Sequence, residues 1–184
     1  IFIVNDDNVF CKNYDLTIEK SLKNSKTVLT LNQIEPTGPG IFNFPVNNLG
    51  RNPKEFKYEE FIKYEQSISK DELTVDGGIF PFAMHKKYYM AAGGFDTMYQ
   101  SPFICDWDFF LKLDLIGLGF VRTHNSHLYH FGSTATKNGS EGDKFKATEG
   151  PAAEMFKYKW GMIPNLYENN SHRPKGVRIK GIIF

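Results

Sequence analysis

The chain opens on four apolar residues, Ile1-Phe2-Ile3-Val4, and turns polar at once with Asn5-Asp6-Asp7. A short, continuous apolar run predicts a buried strand over 1–4, because a helix needs more residues and a half-buried strand would alternate. A polar stretch from Asn5 to Lys26 separates it from a second predicted strand, TVLTLNQI, at 27–34. The next segment, IEPTGPGIFNFPVNNLGRNP, is dense in Pro, Gly and Asn and predicts a long irregular connection. In FKYEEFIKYEQSIS (56–69), Tyr58, Phe61, Ile62 and Ile68 fall near one helical face, with Pro53 shortly before it.

After Asp76-Gly77-Gly78, IFPFAMH (79–85) is strand-like, and KKYYMAA predicts a short helix stopped by Gly93-Gly94. Ile104, Trp107, Leu111 and Leu115 recur at helical spacing, so 105–119 predicts a helix ended by Gly117 or Gly119. FVRTHNSHLYHF reads as strand, turn and strand, with the turn at Asn125-Ser126. The small, polar, glycine-rich residues 132–150 predict a mobile loop, and PAAEMFKYKWG (151–161) a helix with Pro151 in its first turn. Strands and helices alternate, which sets the class as α/β or α+β. One domain is expected over 1–164, followed by a tail, 165–184, in which His172, Arg173, Lys175, Arg178 and Lys180 form a modest basic cluster.

Composition narrows the function classes. The 184 residues suffice for one domain with a real core, and 15% aromatic content argues against disorder. Lys and Arg number 22 against 21 acidic residues, so a net charge of +1 gives no general attraction to nucleic acid or to a membrane surface. No apolar run approaches the roughly 18 residues of a membrane span. Cys11 and Cys105 form neither a metal spacing nor a disulfide framework, which makes a reducing, cytoplasmic compartment the expectation.

Three groups of residues could carry chemistry. Asp6-Asp7 is either a plain turn, favoured by local Asn and Asp hydrogen bonding, or a pair of carboxylates holding a divalent cation at a strand end. In Cys105-Asp106-Trp107-Asp108, two acids open a helix. They either stabilise its dipole, with Asp108 also pairing Lys112 one turn on, or serve a reaction. His124, His127 and His130 recur every third residue, but across a turn they would not converge. One metal ligand among them is then the expectation rather than three.

The order of these motifs adds a resemblance. IFIVNDDNVF looks like the DxD-bearing strand of family 2 glycosyltransferases of the GT-A fold. DGGIFPFAMHKKYYMAAGGFDTMY (76–99) is similar to that family's acceptor-side strand, short helix and Gly-Gly-Phe-Asp turn. CDWDFFLKLDLIGLGF resembles its Glu-Asp-x-Asp helix, and LYHFGSTAT its later His-containing segment. The resemblance covers most of 1–160. It implies a partial GT-A fold, a mixed sheet flanked by helices. It also implies metal-dependent, inverting transfer of a sugar from a nucleotide-diphosphate donor to a hydroxyl of a glycan or other acceptor, as in polysaccharide biosynthesis.

Carried over by position, Asp7 and His130 would hold Mn²⁺ or Mg²⁺, and Asp6 would touch the ribose or donor sugar or reach the metal through water. Asp106 would be the base that takes the acceptor proton. Asp76 and Asp96 would lie near the acceptor or shape the turn beside it, and Asp108 would bind acceptor or support the helix. Trp107 is either core or a platform for an acceptor sugar. Residues 132–150 would close over the diphosphate. The chain departs from the family at Asn5, where many relatives carry another Asp, and at Cys105, the usual Glu position.

Relatives also carry a nucleotide-binding half ahead of the DxD strand. Its expected absence here implies an exposed sheet edge suited to pairing with another copy. Any membrane association would then come through a partner or a missing segment. Two other readings stay open. One is a sugar-binding or assembly module that keeps the fold without activity. The other is a glycoside hydrolase pairing Asp6 or Asp7 with Asp106, which would leave the later His unexplained.

Overall fold

TVLTLNQI becomes the central strand of the molecule because nearly all its side chains are buried and both its edges are paired. The structure is a computed structural model that describes residues 1–38, 43–132 and 139–163. It is a mixed α/β fold. The elements in chain order are β1 (Phe2–Ile3), β2 (Asn8–Val9), α1 (Tyr14–Leu22), β3 (Thr27–Ile34), α2 (Tyr58–Ile68), β4 (Leu73–Thr74), β5 (Phe82–Ala83), α3 (Lys86–Ala91), α4 (Cys105–Leu115), β6 (Gly119–His130) and α5 (Gly139–Trp160).

The six strands form one sheet in the order β1-β5-β3-β6-β2, with β4 also paired to β6. β3 runs parallel to β6, and β5 lies antiparallel to both β1 and β3. β1, β3 and β6 therefore share one direction, and their carboxyl ends lie at the same end of the sheet. β1 and β2 are joined by only Val4–Asp7 yet stand at opposite ends of the strand order. A chain that short spans the two edges only if the sheet curls on itself. Both edge strands are two residues long, so little unpaired edge remains.

Alternation along β3 places helices on both faces. Leu29 and Leu31 pack with Leu22 of α1, Ala83 and Leu128 on one side. Val28 packs with Phe109, Phe110 and Leu113 of α4 and with Phe120 on the other. α2 buries Phe61 and Ile62 against Ile34, Tyr129 and Phe131, whereas Tyr58 at its start stays exposed.

Four sequence expectations need correction. The polar stretch 5–26 contains α1, whose Tyr14, Ile18 and Leu22 recur every four residues and pack on the sheet. The predicted strand 79–85 shrinks to Phe82–Ala83. The turn at Asn125-Ser126 is not a chain reversal, because β6 runs on to His130. Leu31 pairs with Thr123 and Asn32 with His127, so His124, Asn125 and Ser126 bulge out of one strand.

The largest correction concerns 132–150. Residues 139–150 are the first half of α5, and Pro151 lies inside that helix rather than in its first turn. Phe156 and Ala152 supply the reason: they are buried against Tyr99, Trp107 and Leu111. Thr148 Oγ1 donates to Ser101 Oγ at 2.9 Å. Tertiary packing thus holds a helix that Gly142, Gly150 and Pro151 disfavour. Residues 133–138 of the predicted loop and the basic tail 165–184 lie outside the described residues.

Candidate functional site

Asn5 to Asp7 leave the carboxyl end of β1, and the structure shows the turn that the sequence allowed there. They form a tight turn in which the Asn8 amide donates to Asn5 O at 3.3 Å and the Asn5 amide to Asn8 Oδ1 at 3.1 Å. Asn8 Nδ2 donates to Gln33 Oε1, and Gln33 Nε2 to Phe80 O at 2.8 Å, which ties the turn to the sheet. The Phe131 amide donates to Asp7 O at 3.1 Å, so the turn is also stitched to the end of β6. Asp6 is exposed, and Asp7 points inward.

Asn8 pairs with His130 across the β2–β6 ladder, which brings the two ends of the sequence motif together. His130 Nε2 lies 3.2 Å from Asp7 Oδ1, and His130 Nδ1 lies 2.7 Å from Glu35 Oε1. The Asp7 contact is within ion-pair range but off hydrogen-bond alignment, so the buried Nε2 atom has no hydrogen bond. Burial pulls the His130 pKa down, but the Asp7 and Glu35 carboxylates on either side of the ring outweigh it and push it up to about 9. Metal-free, the ring is a cation held between two carboxylates. A cation of higher charge can replace the proton on Nε2, using the Asp7 oxygen and the ring nitrogen as ligands. Among the described residues, no cluster of three or more such side chains is arranged around a single metal position.

The other two histidines have different partners from His130, and a bulge within β6, not the expected turn, separates them. His124 sits in the bulge with Nδ1 3.1 Å from Asn32 Nδ2 and Nε2 3.1 Å from Thr74 Oγ1. His127 is buried against Ser69 and Glu65, with its amide donating to Glu65 Oε1 at 3.2 Å.

The acidic helix α4 opens on Ile104, whose φ of 71° puts a β-branched residue in the left-handed region. That conformation costs roughly 1–3 kcal/mol and persists only where the surroundings enforce it. Asp106, 6% exposed, accepts from the Trp107 amide at 3.0 Å. Burial first, then the Asp106 charge, pushes the Cys105 thiol up to about 12. A neutral thiol therefore stands where the resembled family has a carboxylate. α4 is followed by a tight turn into β6, and its Phe109, Phe110 and Leu113 pack in one cluster with Phe120 of β6.

Asp108 is fully buried and serves as a hub. Its Oδ1 lies 2.7 Å from Lys159 Nζ, 2.8 Å from Trp160 Nε1 and 3.4 Å from the Tyr99 hydroxyl. Its Oδ2 is 3.3 Å from Lys112 Nζ, the one-turn pair the spacing allowed. Asp96 shares Lys159 at 2.7 Å, and that ammonium lowers its pKa. Asp96 and Asp108 together hold the end of α5 onto α4. Trp107 is 4% exposed in the α4–α5 core, which decides for packing over a sugar platform. Asp76 is the accessible acid of the acceptor-side set, paired with Arg122 Nη2 at 3.3 Å and bonded to Thr74.

Glu35 was not singled out in the sequence, where it sits at the start of a Pro- and Gly-rich loop. A signal was present, since it directly follows the carboxyl end of a strand that reads as central and buried. No family model matches this chain, and no curated protein or solved structure matches it.

Proposed function

We propose that this chain is a metal-dependent glycosyltransferase domain that moves a sugar from a nucleotide-diphosphate donor to a hydroxyl acceptor. One observation carries the reading: residues far apart in sequence, Asp7 and His130, meet 3.2 Å apart at the carboxyl ends of parallel strands. In open α/β sheets that end is where ligands bind. Asp7 and His130 would hold Mn²⁺ or Mg²⁺, which when bound neutralises charge developing on the leaving diphosphate. Exposed Asp6 is free to meet the donor's ribose or sugar. Asp106, in the first turn of α4, would be the base that takes the acceptor proton. Of the acceptor-side acids, Asp76 is the exposed one and would meet the acceptor. A neutral Cys105 and the commitment of Asp96 and Asp108 to α5 favour a second reading, a sugar-binding module without turnover.

Thermal unfolding with Mn²⁺, alone and with a nucleoside diphosphate, tests the first reading. A ligand at 100 times its Kd stabilises by about 2.7 kcal/mol, and the shift should vanish in Asp7→Asn and His130→Gln. Equal shifts in wild type and both variants would refute it. Sugar transfer by the stabilised protein, measured as diphosphate release, separates the enzyme from the module.

A further inference from the structure

Glu35 follows β3 as His130 closes β6, and the register decides where their side chains go. Ile34 pairs with Tyr129 in the parallel ladder, so the next step sets Glu35 beside His130. Ile34 and Tyr129 point into the same buried cluster, and alternation sends Glu35 and His130 to the opposite side together. The Glu35 backbone is held at both ends: its amide donates to Pro45 O at 2.9 Å, and its carbonyl accepts from the Asn47 amide at 2.9 Å. Its carboxylate is thereby fixed 2.7 Å from His130 Nδ1.

A carboxylate can only accept, so this contact requires the hydrogen to sit on Nδ1. Nε2 then faces Asp7, and it is this buried atom that has no hydrogen bond. Histidines that ligate metals commonly donate their other ring N–H to a carboxylate, which fixes the tautomer and raises the basicity of the ligating nitrogen.

The geometry points to Glu35 as a positioning residue that holds His130 in its Nδ1–H tautomer and presents the Nε2 lone pair to a divalent cation shared with Asp7. The inference rests on the metal reading above and adds to it the residue that selects which nitrogen binds. Glu35 itself touches the ring and not the cation.

The test combines Mn²⁺ titration by calorimetry with long-range ¹H–¹⁵N NMR of the His130 ring, on wild type, Glu35→Gln, Glu35→Ala, Asp7→Asn and His130→Gln. In metal-free wild type with a neutral ring, the proton should be on Nδ1, and in Glu35→Ala it should redistribute toward Nε2. Mn²⁺ affinity should fall about 10–100-fold in Glu35→Ala, the usual effect of removing such a partner. Glu35→Gln keeps the side-chain shape and an acceptor oxygen, so it should fall less and covers the case in which Glu35→Ala does not fold. The two possible failures are distinct. Wild type without Mn²⁺ binding overturns the metal reading and this inference with it. Binding that weakens in Asp7→Asn and His130→Gln but not in either Glu35 variant overturns Glu35 alone. So does a wild-type ring that carries its proton on Nε2.

Discussion

Asp108→Asn separates the two acids of the α4 opening, because the structure gives them different work. Asp108 is fully buried and faces two ammonium groups, Lys159 at 2.7 Å and Lys112 at 3.3 Å, along with the Trp160 indole N–H. Removing one partner of a buried ion pair typically costs about 3–5 kcal/mol, because the opposite charge stays behind. Lys159 and Lys112 side chains are 30% and 19% exposed, so both can turn toward water and relieve part of that cost. The lower end, about 3 kcal/mol, is therefore expected.

Urea unfolding followed by fluorescence of Trp107 and Trp160 reads this directly, since both indoles lie in or against the α4–α5 core. Lys159→Met supplies the second arm of a double-mutant cycle, and coupling of about 0.5–3 kcal/mol is expected for residues in one network. Asp106→Asn should cost less than Asp108→Asn, since Asn can still accept from the Trp107 amide, whereas Asp108→Asn removes the charge that faces Lys159 and Lys112. Where transfer can be assayed, Asp106→Asn should cut turnover by about 10²–10⁴. Asp108→Asn within about 0.5 kcal/mol of wild type, the range of ordinary surface changes, would refute the hub. Transfer that survives Asp106→Asn at a near-normal rate would refute its role as base.

The remaining predictions concern other links. Because the His130 pKa is raised from 6.5 to about 9, its protonated ring stabilises the metal-free fold fully below about pH 6.5, provided Asp7 and Glu35 stay ionised. That contribution, about 3 kcal/mol, is lost as pH rises through about 9, so wild type and His130→Gln should converge in urea midpoint by pH 10. A gap that stays constant from pH 6.5 to 10 would contradict the two-carboxylate cradle. Mn²⁺ must displace the same proton, so its affinity should rise by about tenfold per pH unit up to about pH 9. A Cβ on Gly77 would run into the Val121 carbonyl oxygen, with its carbon only 2.7 Å away. Gly77→Ala should therefore destabilise by about 3 kcal/mol, the upper part of the overpacking range, because backbone yields little; near-neutral thermal stability would show that β4 and β6 can part. Phe156→Ala, at a side chain with no exposure, should cost about 3–5 kcal/mol and raise hydrogen exchange along α5. Unchanged exchange there would mean that packing does not hold the helix.

Local signals along the chain determined where β3 begins and ends, the approximate extents of α2, α3 and α4, and the acidic turn after β1. Each depends on side-chain periodicity or backbone conformation within a few residues: Gly93 and Gly94 stop α3 at φ 75° and 67° through their own freedom, wherever the rest of the chain goes. The sequence also singled out Asp7 and His130, through the order of motifs rather than through any local rule. Only the tertiary structure decided that they touch, because contact depends on β2 pairing with β6 and on β1, β3 and β6 running in one direction. Register likewise decided Glu35, whose importance lies in standing beside His130 and not in its own neighbours. Asp108 shows the same limit in reverse: a first-turn acid looks like a dipole partner until a helix from much later in the chain lays Lys159 and Trp160 upon it. The second half of that helix was legible in the sequence at 151–161, but its first half was hidden, since Gly and Pro set a local preference of roughly 1–3 kcal/mol against it, and burial of residues such as Phe156 overrides the preference only once the core exists.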